Sequence, residues 1–327
     1  MKLGIAVNVV GTEESGQTTY RLAVSALRRG HQVWVMTAGS FALESDGRVF
    51  AHARAAPPAS YDSAESYLTA LRSQAKSGWI EADALDLVLL RSNPAVQTPW
   101  AQHAPLHFGR ILANRGVVVL NDPNGLANAM NKLYLEEFPQ AVRPRTLITR
   151  NRDRIREFAD EQGTIVVKPL QGYGGRGVFI VRPKDRANVA EIIRAVSRDG
   201  YVVAQEYLPA AADGDTRLFM LEGRPLEYEG HLAAFRRIRT GDDLRSNLHA
   251  GGRLRRAEVD ETMLRLAETV GPKLAEDGMF LAGLDIAGEK LMEINVFSPG
   301  GLGSAQLFEK VDFSEAVVSA LERRMLE

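Results

Sequence analysis

Gly283-Leu284-Asp285-Ile286 and Met292-Glu293-Ile294-Asn295, near the carboxyl end of the chain, place three oxygen-bearing side chains on two apolar stretches. In an alternating strand Glu293 and Asn295 point to the same face. Asp285 reaches that face if the two stretches pair as a hairpin. Oxygen ligands with no histidine or cysteine beside them suit Mg²⁺, held partly by the protein and partly by the phosphates of a nucleotide. Taken by itself, the same pattern also fits a hairpin with a solvated face.

A glycine-rich turn upstream supplies the phosphate side of the same predicted site. The apolar run Ile165 to Leu170 contains Lys168 and is followed by Gln171-Gly172-Tyr173-Gly174-Gly175-Arg176-Gly177 and by a second strand, Val178 to Val181. Backbone N–H groups in such a turn can approach phosphate oxygens closely, and the lysine adds a positive charge. The spacing matches neither a Walker loop nor the dinucleotide fingerprint, and a plain hairpin turn also fits the glycines. Together with the lysine and the downstream oxygen triad, the turn predicts binding of a nucleoside triphosphate.

The composition is typical of a soluble enzyme with a large core. The 327 residues are 45% hydrophobic and 25% charged, which is enough for two or three domains. A formal net charge of −1 gives no general attraction to nucleic acid or to an anionic membrane, so we expect neither as a partner. The absence of cysteine excludes disulfides, thiolate metal sites and a cysteine nucleophile. No apolar run is long enough for a signal peptide or a membrane span, which predicts a cytoplasmic location.

Short apolar runs alternate with helical patterns over the first 120 residues. This alternation indicates βαβ units and a mostly parallel, Rossmann-like sheet in an α/β chain. The expected strands are Leu3 to Val10, Val33 to Met36, Leu87 to Leu90 and Val117 to Leu120; the expected helices are Thr18 to Arg29 and Tyr61 to Lys76, with a loop from Ala53 to Ser60.

Turn residues from Asn121 to Gly125 mark a domain edge, and the later segments mix helices with strands. We expect helices at Leu126 to Phe138, at Val189 to Val196 and through Met263 to Leu274, and strands at Thr146 to Ile148 and Val202 to Gln205, besides those quoted above.

A series of short motifs in this order resembles the prokaryotic glutathione synthetase family of ATP-grasp ligases. The motifs are Asn131-Lys132-Leu133, Lys168-Pro169-Leu170 with Gly172 to Gly175, Gln205-Glu206-Tyr207-Leu208-Pro209, Asp213 to Arg217, Arg245-Ser246-Asn247-Leu248 with Gly251-Gly252, and the two stretches quoted first. The resemblance runs nearly the whole length of the chain. It implies an ATP-grasp fold and an ADP-forming ligase that joins a carboxylate to an amine through an acyl phosphate.

The resemblance also implies three domains. Residues 1–121 would form an amino-terminal pre-ATP-grasp domain on the substrate side, residues 122–204 a small ATP-grasp lid subdomain with the glycine-rich loop, and residues 205–327 the carboxyl-terminal ATP-grasp subdomain with the metal site. The family further implies small-molecule carboxylate and amine substrates and a homo-oligomer, either a dimer or a tetramer.

Roles for individual residues follow from the matched motifs. Contacts to ATP fall on Lys132, Lys168, Gly172, Tyr173, Gly174, Gly175, Gln205, Glu206, Tyr207, Leu208 and Asp215. The ligands of Mg²⁺, or of Mn²⁺ in its place, are Asp285, Glu293 and Asn295. The catalytic arginines, facing the γ-phosphoryl group, the substrate carboxylate or the tetrahedral intermediate, are Arg217, Arg237 and Arg245. The substrate contacts are Asn247, Ser298, Gly300 and Gly301.

The stretch after Asn295 departs from the family pattern. Relatives usually run Val-Thr-Ser-Pro-Thr and then an Ile-Arg-Glu type segment, whereas this chain reads Val296-Phe297-Ser298-Pro299-Gly300-Gly301-Leu302-Gly303. Because that segment lies near the acceptor-substrate pocket in the family, the change concerns the substrates and leaves the ATP half-reaction intact. Three hypotheses remain: a glutathione synthetase acting on γ-glutamylcysteine and glycine, a ligase of the same mechanism for other amino acids or peptides, and a nucleotide-binding protein without turnover.

Overall fold

The computed structural model describes residues 1–11, 18–172, 177–238 and 253–326. Within these ranges no helix is long and apolar enough to cross a membrane.

A seven-stranded mixed sheet forms the amino-terminal part. Its strands are β1 (Lys2–Val7), β2 (Gln32–Thr37), β3 (Phe41–Leu43), β4 (Val49–Ala55), β5 (Lys76–Glu81), β6 (Leu87–Leu90) and β7 (Val118–Leu120). The hydrogen-bonded order is β3-β4-β2-β1-β6-β7, with β5 added to β4. Strands β2, β1, β6 and β7 are parallel, which confirms the parallel part of the prediction. Strand β4 is antiparallel to β2, β3 and β5.

The antiparallel strands correct two local predictions. The loop expected from Ala53 is wrong at its start, because β4 continues to Ala55 with alternate side chains buried. The helix expected to reach Lys76 ends at Ser73, because Lys76 begins β5. Four helices accompany this sheet: α1 (Thr18–Arg28), α2 (Ala64–Ser73), α3 (Pro99–Ala113) and α4 (Pro123–Asn128).

The single helix expected from Leu126 to Phe138 is wrong. Helix α4 ends at Asn128, and a separate 3₁₀ turn covers Lys132–Glu137. The Asn131 side chain accepts a hydrogen bond from the N–H of Leu133 at 3.0 Å. This cap begins a new turn, because it satisfies a free N–H group at its start.

A smaller antiparallel sheet contains β8 (Thr146–Thr149), β9 (Ile165–Pro169), β10 (Phe179–Val181) and β11 (Val202–Glu206), in the order β10-β9-β11-β8. Helices α5 (Arg152–Gln162) and α6 (Val189–Val196) pack on it. This part has a hydrophobic core of its own, built around Ile155, Val167, Ile193 and Val202. Gln171 and Gly172, which begin the glycine-rich stretch, follow closely after the end of β9.

The carboxyl-terminal part is built on a six-stranded antiparallel sheet. Its strands are β12 (Asp215–Leu221), β13 (Arg224–Pro225), β16 (Ala234–Ile238), β17 (Arg253–Arg256), β18 (Leu281–Ala287) and β19 (Lys290–Asn295), with a separate small pair β14 (Glu227–Tyr228) and β15 (His231–Leu232). Its helices are α7 (Glu261–Glu276), α8 (Leu302–Glu309) and α9 (Phe313–Arg324). Leu3 and Tyr20 share one core with Phe219 and Phe313, which joins the two ends of the chain.

Candidate active site

A cavity of about 320 Å³ lies where the three sheets meet. Its walls come from the loop after β6, the 3₁₀ turn at Lys132, the ends of β9 and β11, strand β19 and the segment after it. The residues predicted from sequence that line this cavity are Lys132, Lys168, Gly172, Gln205, Glu293, Asn295 and Ser298. The fold therefore brings residues that are far apart in the sequence to one place.

Two lysines make one wall of this cavity positive. Lys168 Nζ donates to Gln205 Oε1 at 3.0 Å, and the Gln205 amide donates to Thr146 Oγ1 at 3.0 Å. Lys132 Nζ lies 3.2 Å from the carbonyl oxygen of Gly172. Burial lowers the pKa of Lys168 to about 8, with Glu293 opposing and Lys132 adding to the shift. Burial also lowers the pKa of Lys132. An anion bound here would offset that cost, because it favours the charged form of both groups.

The hairpin of β18 and β19 brings the three oxygen-bearing side chains together. Asp285 is paired with Glu293, and Gly283 with Asn295. Directly opposite residues of an antiparallel pair share a face, so the three side chains point the same way. Asn295 Nδ2 lies 3.2 Å from Asp285 Oδ2. Glu293 and Asn295 line the cavity, whereas Asp285 lies behind them and is 3% exposed.

Asp285 is surrounded by guanidinium groups in this structure. Arg217 contacts both of its oxygens, with Nη2 2.8 Å from Oδ2, and Arg237 Nη2 is also 2.8 Å from Oδ2. Burial acts against the carboxylate, but the two arginines hold the pKa of Asp285 well below its usual range. Asp215 is the second carboxylate of this cluster, since Arg237 Nε donates to its Oδ1 at 2.6 Å. The two arginines and the two aspartates thus form a buried cluster in which positive and negative charges are equal in number.

The donor set fits Mg²⁺. Among the described residues no group of three or more histidine, aspartate or glutamate side chains could hold a metal, so the amide oxygen of Asn295 is needed beside the two carboxylates. All three donors are oxygens on one face of a hairpin, which is the hard-ligand chemistry that Mg²⁺ prefers. Oδ2 of Asp285 is already contacted by both arginines, so Asp285 is less available as a ligand than Glu293.

Gly214 allows the backbone of β16 to approach closely enough for the cluster of two arginines and two aspartates to form. Gly214, just before β12, has a φ of +103°, and a Cβ atom there would collide with the carbonyl oxygen of Arg237. Only glycine accommodates both the backbone conformation and the close approach of β16.

Several predicted residues lie elsewhere. Glu206, Tyr207 and Leu208 do not line the cavity: the Glu206 carboxylate accepts from the N–H of Arg145 at 2.9 Å, and the N–H of Tyr207 donates to the Thr164 carbonyl. The carbonyl oxygen of Gly300 accepts from Arg217 Nη1 at 3.1 Å. Gly301 precedes α8 with a φ of +96°. The predicted residues outside the described ranges are Tyr173, Gly174, Gly175, Arg245 and Asn247.

Arg91 is a buried residue near this site that the sequence reasoning did not assign. Its side chain is 5% exposed, and its Nε donates to Thr19 Oγ1 at 2.9 Å. Its Nη2 lies 3.2 Å from the carbonyl oxygen of Pro299 and 3.5 Å from Ser298 Oγ. The signal that could have found it is its position directly after β6, because ligand sites of parallel sheets gather at the carboxyl ends of strands.

The sheets and the cavity together define an ATP-dependent ligase with the ATP-grasp fold. Residues 1–127 match the family model described as prokaryotic glutathione synthetase, N-terminal domain, and residues 131–309 match the one described as prokaryotic glutathione synthetase, ATP-grasp domain. The chain belongs to the prokaryotic glutathione synthetase family. It is an ADP-forming ligase that forms C–N bonds.

Relatives and solved structures agree with this assignment. The glutathione synthetase of Mesorhizobium japonicum is 33% identical over 332 residues, covering 98% of this chain and 99% of the relative. D-cycloserine synthetase DcsG has the same fold with a TM-score of 0.65 at 16% identity, covering 99% of both chains. The ATP-grasp ligase PsnB, solved with a minimal precursor, Mg and ADP, gives a TM-score of 0.61 at 16% identity and covers 99% of this chain and 98% of its own.

Proposed function

We propose that this cavity joins γ-glutamylcysteine to glycine with ATP and Mg²⁺. The observation that carries the proposal is the meeting of Lys132, Lys168, Glu293 and Asn295 in one cavity whose far wall contains Ser298. Phosphate-binding cations, metal-binding oxygens and a substrate-side segment thus surround the same space. The names of the full-length relatives support these substrates.

The chain's own residues bind and orient the two anions that must react. Lys132 and Lys168 hold the phosphates of ATP, with Gln205 fixing the second of these ammonium groups. Asp285, Glu293 and Asn295 hold Mg²⁺, which when bound supplies positive charge to the phosphates. Neutralising charge that develops during phosphoryl transfer is the main catalytic requirement of this reaction.

Amide bond formation then takes two steps. The cysteinyl carboxylate of the peptide attacks the γ-phosphorus of ATP, ADP leaves, and an acyl phosphate forms. The amine of glycine attacks the acyl carbon, inorganic phosphate leaves, and the amine loses its proton. Arg217 and Arg237, which contact the proposed metal-binding carboxylate Asp285, would stabilise the negative charge of the tetrahedral intermediate.

A second candidate is the same chemistry with a different peptide or amino acid. It is favoured by the segment Gly300-Gly301-Leu302-Gly303, which replaces the arginine-bearing segment usual in the family. Removing side chains next to the substrate pocket changes both the charge and the volume that a substrate meets.

The experiment that separates the two candidates measures ADP release over a matrix of carboxylates and amines, with the products identified by mass spectrometry. We expect γ-glutamylcysteine with glycine to give the highest kcat/KM and a product with the mass of glutathione. If another pair exceeds it by about tenfold or more, the second candidate is correct.

Further properties belong to the same proposal. Mn²⁺ replaces Mg²⁺ because both accept oxygen ligands. We expect adenine to lie beyond Gln205, at the edge of the cavity and against the backbone of the segment from Gln205 to Leu208, and the three domains to divide near residues 121 and 204. The enzyme acts in the cytoplasm as a dimer or tetramer.

A further inference from the structure

The guanidinium of Arg21, in the first turns of α1, makes no hydrogen bond to any residue that the structure describes. Its side chain is half-buried, and its Nε is fully enclosed with no hydrogen-bond partner in the structure. Among the described residues, no carboxylate lies within ion-pair distance of it. Leaving the enclosed Nε without an acceptor is unfavourable, whereas the two terminal nitrogens of Arg21 are not enclosed and can donate to a bound carboxylate.

The guanidinium of Arg21 lies over Gly303 in α8. A Cβ atom added to Gly303 would stand 2.7 Å from Arg21 Cζ and 2.8 Å from its Nη2. A side chain at residue 303 would therefore displace the guanidinium. Glycine is required here for the space it leaves, since Gly303 has no positive φ.

The contact between Arg21 and Gly303 lies next to the proposed substrate segment, residues 298 to 301. The N–H of Leu302, in the same turn as Gly303, donates to Thr18 Oγ1 at 3.3 Å, so the first turns of α1 and α8 are in contact. Arg91 approaches residues 298 and 299 of the same segment, but it is already bonded to the Pro299 carbonyl and to Thr19. Arg21 thus differs from Arg91 in that its two terminal nitrogens have no acceptor among the described residues.

We infer that Arg21 binds the glutamyl α-carboxylate of the peptide substrate and that Gly303 provides the space for its guanidinium. The inference rests on the proposed function, because that function supplies a substrate with a second carboxylate that does not react. It adds a specificity-determining residue from the first domain to a site built mainly from the other two sheets.

The test compares γ-glutamylcysteine with 4-aminobutyrylcysteine, in which hydrogen replaces the glutamyl α-carboxylate. With ATP, Mg²⁺ and glycine, we expect the unaltered enzyme to prefer γ-glutamylcysteine in kcat/KM by about tenfold or more, because a charge-assisted contact is lost with the analogue. In Arg21→Gln the KM for γ-glutamylcysteine should rise to that of the analogue, while the KM for ATP stays the same. Arg28→Gln is the matched control, since Arg28 lies on the same helix but donates to the carbonyls of Tyr61 and Asp62.

Moving the arginine from residue 21 to residue 303 gives a result that a merely structural role of Arg21 would not produce. Gly303→Arg alone should lower activity, because its side chain enters the space of Arg21. The double variant Arg21→Ala with Gly303→Arg should regain preference for γ-glutamylcysteine over the analogue relative to Arg21→Ala. An unchanged preference in Arg21→Gln, or an equal loss with both substrates, would overturn the inference while leaving the proposed function standing. If the unaltered enzyme makes no amide from γ-glutamylcysteine and glycine, the proposed function fails, and the inference fails with it.

Discussion

At the scale of single residues, Asp285 and Glu293 face each other across a hairpin but have different surroundings. Arg217 and Arg237 contact Asp285, whereas Glu293 lines the cavity near Lys132 and Lys168. Because Glu293 needs no rearrangement to accept a cation, we assign it the larger share of metal binding in the free enzyme.

Glu293→Gln should therefore weaken the metal site without unfolding the protein. The substitution keeps the shape of the side chain and removes its charge, and the contact it removes strengthens as charge develops on the phosphates. We expect kcat to fall by about a hundredfold or more, and Mn²⁺ binding measured by water-proton relaxation to weaken. Glu289→Gln, an exposed position in the turn of the same hairpin, is the control. Equal Mn²⁺ affinity and equal turnover in Glu293→Gln would remove this residue from the metal site.

Sequence reasoning found the residues whose chemistry is local to a motif and missed those whose role depends on a distant partner. Lys168 and Glu293 stand in recognisable strands, and both line the cavity. Arg21 and Arg91 carry no such pattern, because their partners lie in the segment near residue 300. Sequence also could not show that arginines contact Asp285, since that depends on how β12 and β16 pack beside β18.

At the scale of elements, helix α9 is attached to the amino-terminal part of the chain by an ion-pair cluster. Glu322 of α9 accepts from Arg29 Nε at 3.0 Å and lies 2.7 Å from His31 Nε2. The hydrogen bond from Arg29, followed by His31, lowers the pKa of Glu322 to about 2, although burial opposes this. The carboxylate thus stabilises the folded state only while it is charged.

The pH dependence of this contact has a definite direction. Because the folded-state pKa lies below the ordinary value of 4.5, the stabilisation is complete above about pH 5 and declines as pH falls toward 2. Glu322→Gln should lower the melting temperature at pH 7, and its difference from the unaltered protein should shrink steadily below pH 4.5. Glu268→Gln, an exposed position on α7, controls for loss of charge alone. A difference independent of pH would show that the ion pair is not its source.

Helices and strands with a sustained apolar pattern were predictable from the sequence. Short strands, and a helix boundary that depends on a capping side chain, were not. Helix α6 and strand β6 match the expected bounds because each carries an uninterrupted apolar pattern. Strands β3 and β5 were missed because they are short or outer strands with mixed side chains. The break between α4 and the turn at Lys132 depends on the cap by Asn131, which the apolar spacing alone does not reveal.

At the scale of the whole molecule, one cavity gathers contributions from all three sheets. The chain's two ends share a core, while the four-stranded sheet has a core of its own. The family resemblance predicted the ligase class and the fold, but it left open which peptide is the substrate, because this chain departs from the family pattern after Asn295.

An enzyme of this class activates its carboxylate substrate by transfer of the γ-phosphoryl group of ATP. The most direct test of this mechanism uses γ-glutamylcysteine labelled with ¹⁸O in the cysteinyl carboxylate, with ATP, Mg²⁺ and glycine, and determines the mass of the inorganic phosphate released. If an acyl phosphate forms, a carboxylate oxygen becomes the bridge to phosphorus and leaves with it when glycine attacks. We expect each released phosphate to contain a single ¹⁸O atom, and ADP to be the other product of ATP. Unlabelled phosphate, or AMP and pyrophosphate in place of ADP and phosphate, would contradict this mechanism.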